Sequence, residues 1–228
     1  MAGGALISGL FYLFNIATVQ NFFVPYEAFS SFYGFLPWFI YAFYQYLYHQ
    51  TKKNALYLAL TFLIGSSAFY VQTLFVVLMI FLSCSSISYL ITARKNGIKP
   101  VLTSLAIIIG VSLFWLIPVA YFTATNVGVT GSSLQNSIAT PEIQAYNKFA
   151  GSFPNIIQLK GFWFEYTDAT NGKTEYLLES WRTFYAQWPL LSLIQFSLGI
   201  LAIWGLVSGF QRRHSITRGL IAGLVLTL

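Results

Sequence analysis

Residues 54–93 run for forty positions without one Asp, Glu, Lys, Arg or His. An α-helix rises about 1.5 Å per residue and the hydrocarbon core of a bilayer is about 30 Å thick, so about 20 apolar residues cross it once. The run is twice that length and has to fold back on itself. The Gly65-Ser66-Ser67 break places the turn within residues 68–73. Composition agrees with lipid as the solvent. Only 8% of the residues are charged, while 57% are apolar and 19% aromatic. An ordinary soluble domain carries about 25% charge.

The same criterion marks further runs. Residues 28–48, 100–122 and 187–210 are each long enough to span, and residues 5–19 form a short first span interrupted by Gly9 and Asn15. Residues 219–228 open another and stop after ten positions. The chain therefore reads as a piece of a longer protein, with about six helices and the start of a seventh. Charge sets the orientation. Lys52 and Lys53, then Arg94, Lys95 and Lys99, then Arg212, Arg213 and Arg218 fall in three short connections on one side, eight of the twelve basic residues and none of the acids. The positive-inside rule makes that side cytoplasmic. The net charge of +6 is thus a topology signal. It is not a nucleic-acid patch, which needs basic residues clustered on one folded face. The lone Cys84 excludes an internal disulfide, and residues 1–10 lack the basic region and cleavage site of a secretory signal.

The opposite, extracytoplasmic side holds one long segment, residues 123–186, with five of the six acids. Thr140-Pro141-Glu142 has the residue types of a helix N-terminus and Gly151 those of a stop, which predicts a short helix over residues 141–150. Residues 153–166 are rich in Ile, Phe and Trp and read as lying on the membrane surface. Thr174 is placed to cap a helix through residues 175–186, with Leu177, Leu178, Trp181 and Tyr185 on one face; a hairpin turning at Asn171-Gly172 is the alternative. The expected fold is all-α: a polytopic transmembrane helical bundle with one long extracytoplasmic loop containing short amphipathic helices. Residues 1–122 supply helices 1–5, residues 123–186 the loop, and residues 187–228 helix 6 and a truncated helix 7.

Few side chains carry candidate chemistry. Glu27 is the only acid outside the loop, and a carboxylate near the bilayer is a functional suspect. The plainer reading is a solvated carboxylate in the headgroup region, favoured by the positive end of a helix dipole. Glu165 and Asp168 follow the aromatic Phe162-Trp163-Phe164 and have the chemistry to hold a divalent cation or a sugar hydroxyl, against a solvated loop beside belt aromatics. Arg182 matches the geometry of a lipid-linked phosphate, or else pairs with Glu179 one turn away. These four are candidate substrate-binding residues. His49 and His214 have no metal-ligand partner at helical spacing. Ser83, Ser85, Ser86 and Ser88 resemble the small-residue packing face of a membrane helix, with no base nearby to make one of them a nucleophile. No phosphate-binding glycine loop, CxxC, HExxH or N-x-S/T acceptor occurs.

One pattern resembles a known family. Residues 110–122 (GVSLFWLIPVAYF) close a span with Phe-Trp-Leu-Ile-Pro, and the loop that follows contains SFPNIIQLKGFW at residues 152–163. Together with Leu10-Phe11-Tyr12-Leu13-Phe14-Asn15 and Leu36-Pro37, this layout is similar to the multi-pass glycosyltransferases of the GT-C type, especially the arabinofuranosyltransferase-like group. The resemblance covers residues 6–210 in layout and its motifs are short. It implies many transmembrane helices, an active site built from outer loops, a polyprenyl-phosphate-linked sugar as donor, and an acceptor outside the cytoplasm. The acidic motif of that family's first outer loop has no match here, so no catalytic residue is carried over. The expected function is a fragment of such a transferase in the cell membrane, in contact with the lipid bilayer. A transporter or lipid flippase is the alternative, and a noncatalytic membrane scaffold a third.

Overall fold

The computed structural model describes residues 2–23, 27–93, 97–126, 128, 145, 148–170, 173–211 and 215–227. Within it the chain forms helices α1 (Ala2–Phe14), α2 (Ile16–Phe23), α3 (Glu27–Tyr48), α4 (Lys52–Ile64), α5 (Gln72–Ala93) and α6 (Ile98–Thr125). After these come α7 (Phe153–Ile157), α8 (Phe162–Glu165), strands β1 (Thr167–Thr170) and β2 (Lys173–Tyr176), then α9 (Glu179–Gln187), α10 (Pro189–Gln211) and α11 (Ser215–Thr227). Two compact units result: Met1–Tyr26 with Gly128–Gly205, and Glu27–Val127 with Leu206–Leu228.

Three described helices are long and apolar enough to cross a membrane: α5, α6 and α10, with 22, 28 and 23 residues. A fourth is added if the bent pair α1 and α2 is one span. This is fewer than the six expected. The α3 helix has the length, but its five tyrosines and one glutamine dilute its apolar character. The forty-residue uncharged run does fold back, as its length requires. Its first arm is divided, however: α4 covers only 13 residues, and Gly65–Tyr70 continues as a 3-10 helix before α5 departs. Apolar side chains are widely exposed, among them Ile87, Ile91, Leu102, Ile117, Leu201 and Trp204. Only 6% of the apolar stretch of α10 is buried. Water would not tolerate a continuous apolar surface of that extent, whereas hydrocarbon favours it.

The larger core belongs to the second unit. Phe39, Phe43 and Leu47 of α3, Leu58 and Phe62 of α4, and Leu78 and Leu82 of α5 are all essentially inaccessible. Phe39 is the pivot, with ring centroids 4.7 Å from Phe62 and 5.4 Å from Phe69. Gly65 makes room for it: a Cβ there would come within 2.5 Å of the Phe39 ring. Thr51 caps α4 by accepting from the Asn54 amide at 3.2 Å. Tyr89 of α5 donates to the Leu47 carbonyl at 2.9 Å, Asn54 donates to the His49 carbonyl at 2.7 Å, and Tyr44 donates to the Ile216 carbonyl at 3.5 Å. These bonds gather the last turns of α3 and α5 and the first turns of α4 and α11 at one end of the unit. Lys52, Lys53 and Arg218 lie in those first turns.

The α11 helix packs on α5 through Gly219 and Gly223, a small-xxx-small pair that lets two backbones approach. A Cβ at Gly219 would meet the Ser85 Cα at 2.6 Å. Ser85, Ser86 and Ser88 are buried, as expected of a packing face, while Ser83 is exposed.

In the loop region the hairpin prevails over the helix expected from residue 175. β1 and β2 pair antiparallel from Thr167↔Tyr176 to Thr170↔Lys173, while Asn171-Gly172, where the turn is expected, lies outside the described residues. Such a dipeptide favours the turn whose twist matches the strands. The helix starts only at Glu179, and the all-α expectation gains one small sheet. Most of the helix expected over residues 141–150 lies outside the described residues.

Candidate functional site

The first unit contains a place where described charges, rings and unpaired polar atoms converge. It is built on α2. Gln20, 97% removed from solvent, donates from Nε2 to the Leu159 carbonyl at 2.9 Å, and its Oε1 accepts from the Gly161 amide at 2.9 Å. This amide side chain pins both flanks of Lys160. Leu159 takes a φ of 56°, left-handed backbone that a leucine adopts only when its surroundings impose it. Ile16, Phe164 and Leu178 form the buried floor, with Leu159, Trp163, Trp181 and Tyr185 packed against it.

Two cations flank the Phe164 ring. The Lys160 ammonium stands 5.3 Å from its centroid and 5.5 Å from that of Tyr185. The Arg182 guanidinium lies 5.8 Å from Phe164 and stacks 3.7 Å over Tyr176. The aromatic faces carry the negative part of the ring quadrupole and so stabilise both charges. Arg182 also donates to the Phe164 carbonyl at 3.4 Å and forms an ion pair with Glu165. Lys160 has no ion-pair partner among the described residues. Burial lowers its pKa below the usual lysine value, the Glu165 carboxylate opposes that shift, and Arg182 adds to it. Behind the rings, Tyr185 donates to Gln195 Oε1 at 2.5 Å, which leaves the buried Gln195 Nε2 without a partner. Burial also raises the Tyr185 pKa, so the phenol stays a donor. Beside the buried Gln158 Oε1, an acceptor without a hydrogen-bond partner two residues before Lys160, the cluster offers two donors, one ammonium and one amide, with the Glu165 carboxylate already paired. Such a set accepts an anion.

The sequence candidates are distributed unequally. Glu165 and Arg182 are brought together, and they engage each other. Arg182 therefore does not take Glu179, whose carboxylate accepts from Thr183 at 3.4 Å. Asp168 lies in β1 opposite Glu175, and its side chain is outside the described residues. Glu27 is exposed in the first turn of α3, in the other unit. Among the described residues no group of three or more His, Cys, Asp or Glu is arranged to hold a metal ion. Lys160 escaped the sequence reading because nothing in the chain links it to Gln20, 140 positions earlier. The signal open to inspection was a lysine set in the apolar, aromatic stretch of residues 153–166. No protein-family model, curated protein or solved structure matches this chain.

Proposed function

We propose that the protein is a multi-pass membrane glycosyltransferase, or a part of one, that handles a polyprenyl-phosphate-linked sugar at the membrane face opposite the basic connections. One observation carries the reading: Lys160 is a partly buried cation above two rings, with Arg182 beside it and no carboxylate of its own among the described residues. A phosphate supplies the missing countercharge, and the aromatic surroundings suit a ligand whose other end is lipid. During transfer the sugar C1–O bond to phosphate breaks, an acceptor oxygen takes its place at C1 and loses its proton, and polyprenyl phosphate leaves. Lys160 offsets the charge that grows on that leaving group. No described residue is assigned as the base. In this reading Lys52, Lys53, Lys99 and Arg218 mark the cytoplasmic side, and residues 123–186 lie outside, with residues 153–166 on the membrane surface.

The transporter reading draws on the 44° bend between α1 and α2, since broken helices line transport sites. Asn15 uses its polar atoms at that bend. It donates to the Phe11 and Tyr12 carbonyls at 2.8 and 3.0 Å and accepts from the Thr18 amide at 3.1 Å. The groups freed by the break are thereby occupied within the chain, which favours the transferase.

The test is transfer of radiolabelled sugar from a polyprenyl-phosphate donor. Lys160→Gln should raise the donor KM about 10- to 100-fold, the equivalent of one lost charge-assisted hydrogen bond. Unchanged KM and rate in Lys160→Gln, or absence of any transfer by the full-length protein, would refute it.

A further inference from the structure

The α10 helix, long and apolar enough to cross a membrane, supplies a scale of depth. Its 23 residues make about 34 Å of helix, against a hydrocarbon core about 30 Å thick. A span with so little to spare has its middle near the middle of the bilayer. Gly199 is the eleventh of those residues, about 15 Å along the axis from Pro189. A tilt of about 20° changes that depth by about 1 Å. At Gly199 the backbone of α7 touches α10. A Cβ on this glycine would meet the Ile157 carbonyl oxygen at 2.5 Å and the Ile157 Cγ2 at 2.6 Å. Glycine is what admits so close an approach.

The turn after α7 is closed without water. The amides of Ile156, Gln158, Leu159 and Lys160 donate to the carbonyls of Ser152, Pro154, Ile156 and Asn155 at 2.9–3.1 Å. Gln20 takes the Leu159 carbonyl and the Gly161 amide, and the Asn155 side chain donates to the Phe149 carbonyl at 3.1 Å. Lipid offers a backbone no partners, so a chain that leaves the helix at depth has to satisfy itself in this way. The outer face of α7 is apolar. Phe153 and Ile156, one turn apart, are 68% and 45% exposed, while Ile157 is buried. Over the same depth α10 also exposes Leu193, Ile194, Ile200 and Leu201. We propose that α7 is a re-entrant segment that dips to about half the depth of the bilayer and rests Phe153 and Ile156 against lipid acyl chains. This refines the surface position that composition gives residues 153–166, since α7 lies below it. Lys160 is on the returning arm. It stands beside Tyr185, whose hydroxyl meets Gln195 about 6 Å nearer Pro189 than Gly199, and a long lysine reaches from there toward the headgroups. The proposal rests on the span of α10 and not on sugar transfer.

The test measures depth with nitroxide labels on the full chain in phosphatidylcholine vesicles. Phe153→Cys, Ile156→Cys and Trp188→Cys are made one at a time with Cys84→Ala, and each label's collisions with oxygen and with a water-soluble nickel chelate are compared. Trp188 immediately precedes α10, so the labels at 153 and 156 should lie about 10–15 Å deeper than the one at 188. Equal depth at the three positions would overturn the proposal and leave α7 on the surface. Free access of the nickel chelate to 153 and 156 would overturn it in favour of a water-filled vestibule. Labels there that neither oxygen nor nickel reaches would do the same, assigning the face to a further helix or a second copy of the chain. Lys160→Gln should leave these depths unchanged, so loss of depth and loss of sugar transfer are separate results.

Discussion

Lys160 illustrates how one charge takes opposite signs in stability and in binding. Its pKa is lowered chiefly by burial, so the folded state releases the proton at a pH where the unfolded chain still holds it. Between the lowered folded value and the ordinary lysine value of 10.5, the unfolded state binds more protons, and stability from this group rises with pH. Anion binding depends on the protonated form and falls as pH climbs through the folded value. Affinity for a soluble polyprenyl-phosphate analogue should therefore drop at a lower pH than a free lysine would give, and Lys160→Arg should move that loss upward. A binding curve flat up to the ordinary lysine range would contradict the assignment of Lys160 as the anion's partner. Arg182 makes the complementary point. Its stacking on Tyr176 and its pairing with Glu165 use the planar guanidinium, which a lysine cannot reproduce.

Among the elements, close approach between helices is set by the smallest residues. Gly219 brings α11 against the backbone of α5 at Ser85, and that neighbour cannot rotate away as a side chain might. Gly219→Val should separate the two helices and lower stability by about 1–3 kcal/mol, the usual range for an overpacked contact. Thermal unfolding in detergent measures it, and an unchanged midpoint would show that α11 does not dock there. The serine face of α5 was legible in the chain because small residues recur there at helical spacing. Its glycine partner is not legible in the same way, because residues 219–228 read by length alone as an incomplete span. The uncharged stretch of residues 54–93 announces a reversal through length alone, but at the reversal the Phe39 ring of α3 fills the space beside Gly65. No local pattern carries that contact. The same holds for Gln20, whose two bonds to the Leu159–Gly161 turn join segments 140 positions apart. Strand pairing outweighs the capping residue types at Thr174, because it satisfies the backbone of residues 173–176 before a helix can start.

For the whole molecule, the distribution of charge and apolar surface fixes the environment. Basic residues in the first turns of α4 and α11 meet at one end of the second unit, while five of the six acids lie in residues 123–186. Reporter tags inserted after Lys53 and after Asn136 should consequently appear in opposite compartments, and a shared compartment would remove the proposed sidedness. The exposed apolar faces of α5, α6 and α10 make a deeper demand, since they are stable only against hydrocarbon or further helices. Washing membranes with alkaline carbonate and sedimenting them without detergent tests that demand most directly, because it strips proteins held by charge or surface contact. The protein should remain in the pellet and be released only by detergent. Recovery in the carbonate supernatant would contradict a lipid-embedded fold.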